Sequence, residues 1–127
     1  MKKVLVFGTF DGIHEGHLDF FRQAKQYGDY LIVVAALDKN IHKIKKHLPK
    51  RSERERLNDL QKCKIVDKAV IGYEDDPYRI IKEMKPEVIC LGYDQHSEFS
   101  KHLEKFLRQI GSEPKIVRLK PYKQKNA

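Results

Sequence analysis

The chain has 127 residues, 40% of them hydrophobic and 35% charged, with a formal net charge of +8. This length favours one domain that buries its own core, and no run of about 18 apolar residues predicts a membrane span. The short apolar run at the N-terminus lacks a signal-peptide cleavage site, so we expect a first strand and a cytoplasmic protein. The positive charge fits nucleic acid, a phosphorylated small molecule or simple solubility.

Apolar strands and amphipathic helices alternate along the chain. The runs at 3–7 and 30–36 do not alternate in polarity, which is typical of parallel strands buried on both faces. The helical spacing between them, ending near Gly28, completes a βαβ unit. Further strands are predicted within 66–73, 87–93 and 114–119. Further helices are predicted within 52–64 (capping box Ser52/Glu55), 76–86 (N-cap Asp76, then Pro77) and 97–111 (stop at Gly111).

This order predicts an α/β fold, a Rossmann-like doubly wound parallel five-stranded sheet with helices on both faces. Residues 1–119 form the expected single domain, and the polar tail at 120–127 is expected to fray. The two cysteines, Cys63 and Cys90, have no metal-ligand spacing, and a buried free thiol is expected for Cys90.

The stretch GTFDGIHEGH, residues 8–17, lies where the first strand gives way to the first helix. Ligands of such folds bind outside the C-terminal ends of the strands. Gly8 permits close approach of the backbone, and the helix N-terminus directs free N–H groups to the same place. His14 and His17 share one face of the first helical turn. This arrangement suits a phosphate that gains charge during a reaction, with an ordinary polar loop as the alternative; the dinucleotide and Walker A fingerprints are absent.

The same stretch resembles the signature of the HxGH nucleotidyltransferase superfamily, in the form typical of cytidylyltransferases. The segments GDYLIVVAALD, VDKAVIG and KPEVICLGYDQ follow the order and spacing of that family, so the resemblance covers most of the chain. In detail the chain is most similar to the archaeal-type FAD synthases and next to the glycerol-3-phosphate cytidylyltransferases.

The resemblance implies an enzyme that transfers a nucleoside monophosphate from ATP or CTP to a phosphate-bearing acceptor and releases pyrophosphate. Transfer of AMP to FMN is the first expectation, and cytidylyl transfer to glycerol 3-phosphate or another polyol phosphate is the alternative. No covalent intermediate forms in this family, so catalysis rests on positioning and charge stabilisation. A homodimer is a further expectation of the resemblance.

The resemblance also implies roles for individual residues. The expected catalytic residues are His14, His17 and Lys45. The nucleotide is expected to contact Gly8, Thr9, Phe10, His14, His17, Lys43, Lys45, Gly92 and Asp94. The acceptor is expected at Asp11, Asp38 and Arg56. Magnesium or another divalent cation is expected with the phosphates, and its protein ligands stay unassigned.

Four alternatives stay open at this point. Lys43 and Lys45 could belong to a solvated basic face, and Asp94 could cap the following helix. The Ser/Thr-rich motif that follows the last strand in the family is absent from KIVRLKPYKQKNA, where Arg118 is the single arginine. A nucleotide-binding module without turnover is therefore the rival of another class. Nucleic-acid binding ranks last, because the basic stretch lacks interleaved aromatic residues.

Overall fold

The structure is a computed structural model that describes residues 1–39, 49–73, 79–93, 97–111 and 113–122, with residues 97–100 described by their backbone only. Its five strands are β1 (Lys3–Gly8), β2 (Tyr30–Ala35), β3 (Lys68–Ile71), β4 (Val88–Leu91) and β5 (Lys115–Arg118). They form one sheet in the order β3-β2-β1-β4-β5, and every neighbouring pair is parallel. The predicted α/β fold with a five-stranded parallel sheet is confirmed.

The described helices are α1 (Glu15–Lys25), α2 (Glu53–Gln61), α3 (Arg79–Met84) and α4 (Ser97–Ile110). The capping box of α2 forms as predicted, since Ser52 accepts from the amide of Glu55 and Glu55 accepts from the amide of Ser52. Gly111 ends α4 at a φ of +68°, a conformation that glycine adopts without strain. The proposed cap at Asp76 and Pro77 lies outside the described residues.

The first helix ends earlier than its sequence indicates. It stops at Lys25, with Gln26 as its C-cap, rather than at Gly28. Gly28 serves a different purpose, because a Cβ there would lie 2.6 Å from the backbone oxygen of Lys2. A close approach between two chain segments, and not a helix stop, is therefore what requires this glycine.

Each face of the sheet carries its own hydrophobic core. Alternate residues of β1 point to opposite faces, so Val4 and Val6 pack in one cluster with Phe21 of α1 and Leu60 of α2. The other face buries Leu5 and Phe7 of β1 against residues of α3 and α4, namely Ile80, Ile81, Leu103 and Leu107. The sheet is thus covered by helices on both sides, as the sequence predicted.

The strand order places a topological switch at the middle of the sheet. The chain leaves β1 toward β2 on one side and later returns to β4 on the other. Val6 pairs with Cys90, so two residues further on Gly8 comes level with Gly92 at the C-terminal ends of these strands. Crevices of this kind hold the ligands of open α/β sheets. Within the described ranges, no helix is long and apolar enough to span a membrane.

The expectation of a frayed tail does not hold for residues 120–122. The amide of Lys120 donates to the Gln23 side-chain oxygen at 2.9 Å, and the carbonyl of Lys120 accepts from the Gln23 side-chain nitrogen at 2.9 Å. Leu119, just before, is 4% exposed and belongs to the core. The chain after β5 is therefore held against α1.

Candidate active site

The loop between β1 and α1 is shaped by Phe10. This residue has a φ of +54°, and Gly12 follows with a φ of +88°. The Phe10 ring folds back under the loop and is only 5% exposed. A Cβ on Gly8 would lie 2.6 Å from the ring's Cζ atom. Gly8 is thus needed to admit this ring, whereas the sequence suggested room for a ligand.

Two histidines cap the N-terminus of α1. His14 is the N-cap residue, and its Nδ1 accepts a hydrogen bond from the amide of Gly16 at 3.0 Å. The Nδ1 of His17 accepts in return from the amide of His14 at 3.3 Å. This is a capping box built from imidazoles instead of the usual hydroxyl and carboxylate. The sequence spacing predicted the shared face, and the structure adds the reciprocal bonds.

The capping bonds fix the proton positions of the neutral rings. Because each Nδ1 accepts a hydrogen bond, each neutral imidazole carries its proton on Nε2. The two rings stack with centroids 3.8 Å apart, and Phe10 contacts His17 edge to face at 5.4 Å. Burial and the neighbouring His14 lower the pKa of His17, against a smaller raising effect of a backbone hydrogen bond with Gly12. The site thus presents hydrogen-bond donors at the positive end of the α1 dipole.

Asp11 fastens the same loop to the chain that precedes α2. Its two carboxylate oxygens accept from the backbone amides of Lys50 and Arg51, each at 2.8 Å. These two bonds hold the pKa of Asp11 below its ordinary value. The sequence hypothesis placed Asp11 at the acceptor. In the structure its carboxylate binds these backbone amides, and the residue stays exposed.

Arg56 lies behind the site and not on its surface. Its side chain is fully buried. The guanidinium donates to the carbonyls of Thr9 at 2.8 Å, Ala36 at 2.7 Å and Arg51 at 3.2 Å. In this structure it has no surface with which to touch an acceptor, contrary to the role expected from the sequence. It connects the loop after β1, the end of β2 and the start of α2.

Asp38 completes this connection. One carboxylate oxygen accepts from Arg56 at 2.7 Å, and the other accepts from the backbone amide of Glu53 at 3.2 Å. Glu53 accepts from the amide of Asp38 in return at 3.2 Å. The three residues expected at the acceptor, Asp11, Asp38 and Arg56, therefore act together as a scaffold for the His14 loop. No local sequence pattern indicates this, because the partners are far apart in the chain.

The remaining expected residues divide into two groups. Gly92 lies at the end of β4, where its carbonyl accepts from Arg118 at 2.7 Å, so a cation stands at the edge of the crevice. Lys43, Lys45 and Asp94 lie outside the described residues. The described part of the chain holds no group of three or more His, Cys, Asp or Glu side chains suited to a metal ion. Asp11 in the histidine loop and Asp38 after β2 already accept hydrogen bonds.

One neighbour of the histidines had no signal in the sequence. Tyr122, from the segment after β5, has its Cβ 3.9 Å from the position that a Cβ on Gly16 would occupy. The Cβ of Tyr122 therefore lies beside the N-terminus of α1. Tyr122 is 41% exposed.

Comparison with known proteins agrees with this geometry. The family model described as Cytidylyltransferase-like matches residues 5–127. The FAD synthase of Archaeoglobus profundus is 46% identical over 121 residues, which are 94% of this chain and 76% of that protein. The FAD synthase of Ferroglobus placidus is 44% identical over 121 residues, covering 94% and 77% of the two chains.

Solved structures are similar as well. The lipopolysaccharide core biosynthesis protein from Thermoplasma volcanium superposes with a TM-score of 0.89 at 35% identity, covering 97% of this chain and 99% of that one. A pantoate-beta-alanine ligase from Francisella tularensis superposes with a TM-score of 0.64 at 16% identity, covering 97% of this chain and 60% of that one. This second likeness concerns the fold alone.

Proposed function

The chain belongs to the cytidylyltransferase-like family of nucleotidyltransferase enzymes, and we propose that it transfers AMP from ATP to FMN, forming FAD and pyrophosphate. The observation that carries this proposal is the 38–46% identity to proteins named FAD synthase over nearly the whole chain. The histidine-capped helix at the switch of the sheet provides a place for the phosphates.

The proposed reaction is an in-line displacement at phosphorus. An oxygen of the FMN phosphate attacks the α-phosphorus of ATP and forms a new P–O bond. The bond from the α-phosphorus to the oxygen that bridges to the β-phosphorus breaks, and pyrophosphate leaves with that electron pair. The protein needs no nucleophile of its own for this step. Its task is to align the two phosphates and to stabilise the growing negative charge.

His14 and His17 supply the donors for that charge. Their Nδ1 atoms are occupied by the capping bonds, so the Nε2–H groups are available for phosphate oxygens. Burial disfavours the charged form of His17, and we therefore assign it as a neutral donor. Donors that are already oriented need no reorganisation during the reaction, and removing one such donor typically costs a factor of about 100 to 1,000 in turnover.

Magnesium enters this proposal with the nucleotide. Phosphate oxygens are the hard ligands that Mg²⁺ prefers. Asp11 and Asp38 accept hydrogen bonds from backbone amides and from Arg56, and the described residues hold no group of three or more His, Cys, Asp or Glu side chains suited to a metal ion. We therefore assign the metal, or another divalent cation, to the triphosphate rather than to a cage of protein side chains.

The decisive variant separates helix capping from chemistry. Changing His14→Ser together with His17→Gln writes an ordinary Ser-x-x-Gln capping box at the same two positions. We expect the melting temperature to stay close to that of the wild type while FAD formation falls at least 100-fold. His102→Ala is the matched control, because His102 is exposed on α4 away from the site.

The assay measures pyrophosphate release with ATP and CTP, each paired with FMN and with glycerol 3-phosphate. Turnover with ATP and FMN alone supports the proposal. Turnover with CTP and glycerol 3-phosphate would replace it by the cytidylyl alternative. Full activity of the double variant would remove the histidines from the mechanism, and tight nucleotide binding without any product would leave a binding module.

A further inference from the structure

The segment after β5 is fastened to α1 by a single glutamine side chain. Gln23 uses its whole amide group: Oε1 accepts from the amide of Lys120, and Nε2 donates to the carbonyl of Lys120. The second Nε2 proton goes to Asp19, one helical turn earlier, at 2.8 Å. Asp19 thereby fixes the orientation of the amide, and Gln23 pairs with Lys120 much as a neighbouring strand would.

The geometry directs this segment toward the N-terminus of α1. Gly16 and Gln23 are seven residues apart, which is almost two helical turns, so they share one face of the helix. Lys120 is paired at Gln23, and two residues later Tyr122 lies beside Gly16. The segment 119–122 therefore runs along α1 from its last turn toward its histidine cap. Leu119 anchors the start of the segment in the core, where its amide donates to Leu91.

Tyr122 approaches Gly16 where the His14 ring also lies: a Cβ on Gly16 would be 2.8 Å from Cε1 of His14 and 3.9 Å from Cβ of Tyr122. Gly16 has no Cβ, and its amide is occupied by Nδ1 of His14. The tyrosine is 41% exposed, so part of its surface faces outward next to the histidines. An exposed aromatic side chain anchored at this position is within reach of a ligand bound at the helix terminus.

We propose that Gln23 is a positioning residue that holds segment 119–122 so that Tyr122 forms one wall of the triphosphate site. This inference rests on the proposed function, because it assumes that the nucleotide phosphates lie at the N-terminus of α1. Gln23 itself touches no substrate in this proposal. Its effect is on the binding of the nucleotide and not on the binding of the acceptor.

The chain contains no tryptophan, so Tyr122→Trp introduces a single fluorescent reporter at the proposed wall. We expect its emission to change saturably on titration with ATP and with inorganic pyrophosphate. Ile116→Trp, at an exposed position of β5, is the matched reporter and is expected to stay unchanged. No response of the tryptophan at position 122 in a protein that forms FAD would overturn the proposal.

The hydrogen bonds between Gln23 and Lys120 are tested by Gln23→Ala. In the Tyr122→Trp background we expect the ATP response to disappear. In the natural background we expect KM for ATP to rise about tenfold, which is the order of magnitude of one lost hydrogen bond, because Tyr122 is no longer held beside the site. KM for FMN should stay unchanged. Gln26→Ala, at the exposed C-cap of the same helix, is the control and should alter neither constant. Equal rises in both KM values would reduce Gln23 to a general structural role and refute the assignment.

Hydrogen exchange shows whether Gln23 holds segment 119–122, independently of whether the protein forms FAD. The amide of Lys120 should exchange slowly in the wild type and fast in Gln23→Ala, whatever the substrates are. A wild type that binds ATP, responds through the reporter at 122 and makes no FAD would refute the proposed function while supporting this one. Fast exchange of the Lys120 amide in the wild type would refute the proposed role of Tyr122 beside the triphosphate, even where FAD is formed. An ATP affinity that is unaltered in Tyr122→Ala would refute it as well.

Discussion

Replacing Arg56 by methionine removes the buried cation behind the histidine loop and keeps a long, flexible side chain in its place. The guanidinium is fully buried and makes four hydrogen bonds, to the carbonyls of Thr9, Ala36 and Arg51 and to Asp38. The variant leaves these acceptors without their donor. The loop that carries His14 loses its connection to β2 and α2 at the same time.

The expected cost follows from burial. Removing one partner of a buried ion pair costs about 3–5 kcal/mol, and each buried acceptor left alone costs about 1–3 kcal/mol. The carboxylate of Asp38 is 27% exposed, so water replaces part of what it loses. We therefore expect a loss near the lower end, about 3 kcal/mol of unfolding free energy. For a domain of this size that lowers the melting temperature by about 10 °C.

The assay combines thermal unfolding with steady-state kinetics. Arg54→Ala, an exposed arginine on the same helix, is the control, and its unfolding free energy should change by no more than about 0.5 kcal/mol. Arg56→Met should lower kcat, because the loop that carries His14 loses its connection to β2 and α2 and moves. An unchanged melting temperature together with a raised KM for FMN alone would refute this reasoning, and would return Arg56 to the acceptor-binding role that the sequence suggested.

Three further outcomes are expected. The pKa of His17 lies below its ordinary value of 6.5, so the unfolded chain binds more protons as the pH falls below 6.5; stability should drop there, and His17→Gln should flatten the drop in denaturant titrations. Burial raises the pKa of Cys90 to about 12, so peptide mapping should find it unmodified by a thiol reagent at pH 8 until the protein unfolds. Burial raises the pKa of Asp67, but hydrogen bonds from Lys25 and Leu31 lower it by more; Asp67→Asn should cost about 1 kcal/mol at pH 7 and progressively less as the pH falls through the folded-state pKa.

The secondary structure and the histidine site could be predicted because their signals are local. Strands buried on both faces read as unbroken apolar runs, and β1, β2 and β4 are of this kind. The capping box of α2 is written in four consecutive residues, and the histidine pair at a spacing of three shares a helical face. In each case the residues that interact are neighbours in the sequence, so the pattern and the contact coincide.

The scaffold around that site could not be predicted, for the opposite reason. Arg56 bonds to Thr9, 47 residues away, and to Asp38, 18 residues away. A polar residue near a predicted site is naturally interpreted as a ligand of the substrate, since the sequence does not reveal that backbone carbonyls compete for it. Phe10 is a similar case. A left-handed backbone at an aromatic residue has no sequence pattern, and that conformation is what carries its ring under His17.

The scaffold also bears on where the charge for the triphosphate comes from. Asp38 is bonded to Arg56 and Glu53, and the amides of Lys50 and Arg51 are bonded to Asp11. The sequence between these two anchors contains Lys43 and Lys45. A helix terminus offers only a partial charge, whereas a nucleoside triphosphate carries several full negative charges. Both flanks of the lysine-bearing sequence are tied to the loop that holds the histidines. The bonds made by Asp11, Asp38 and Arg56 therefore favour the hypothesis that these two lysines bind phosphate.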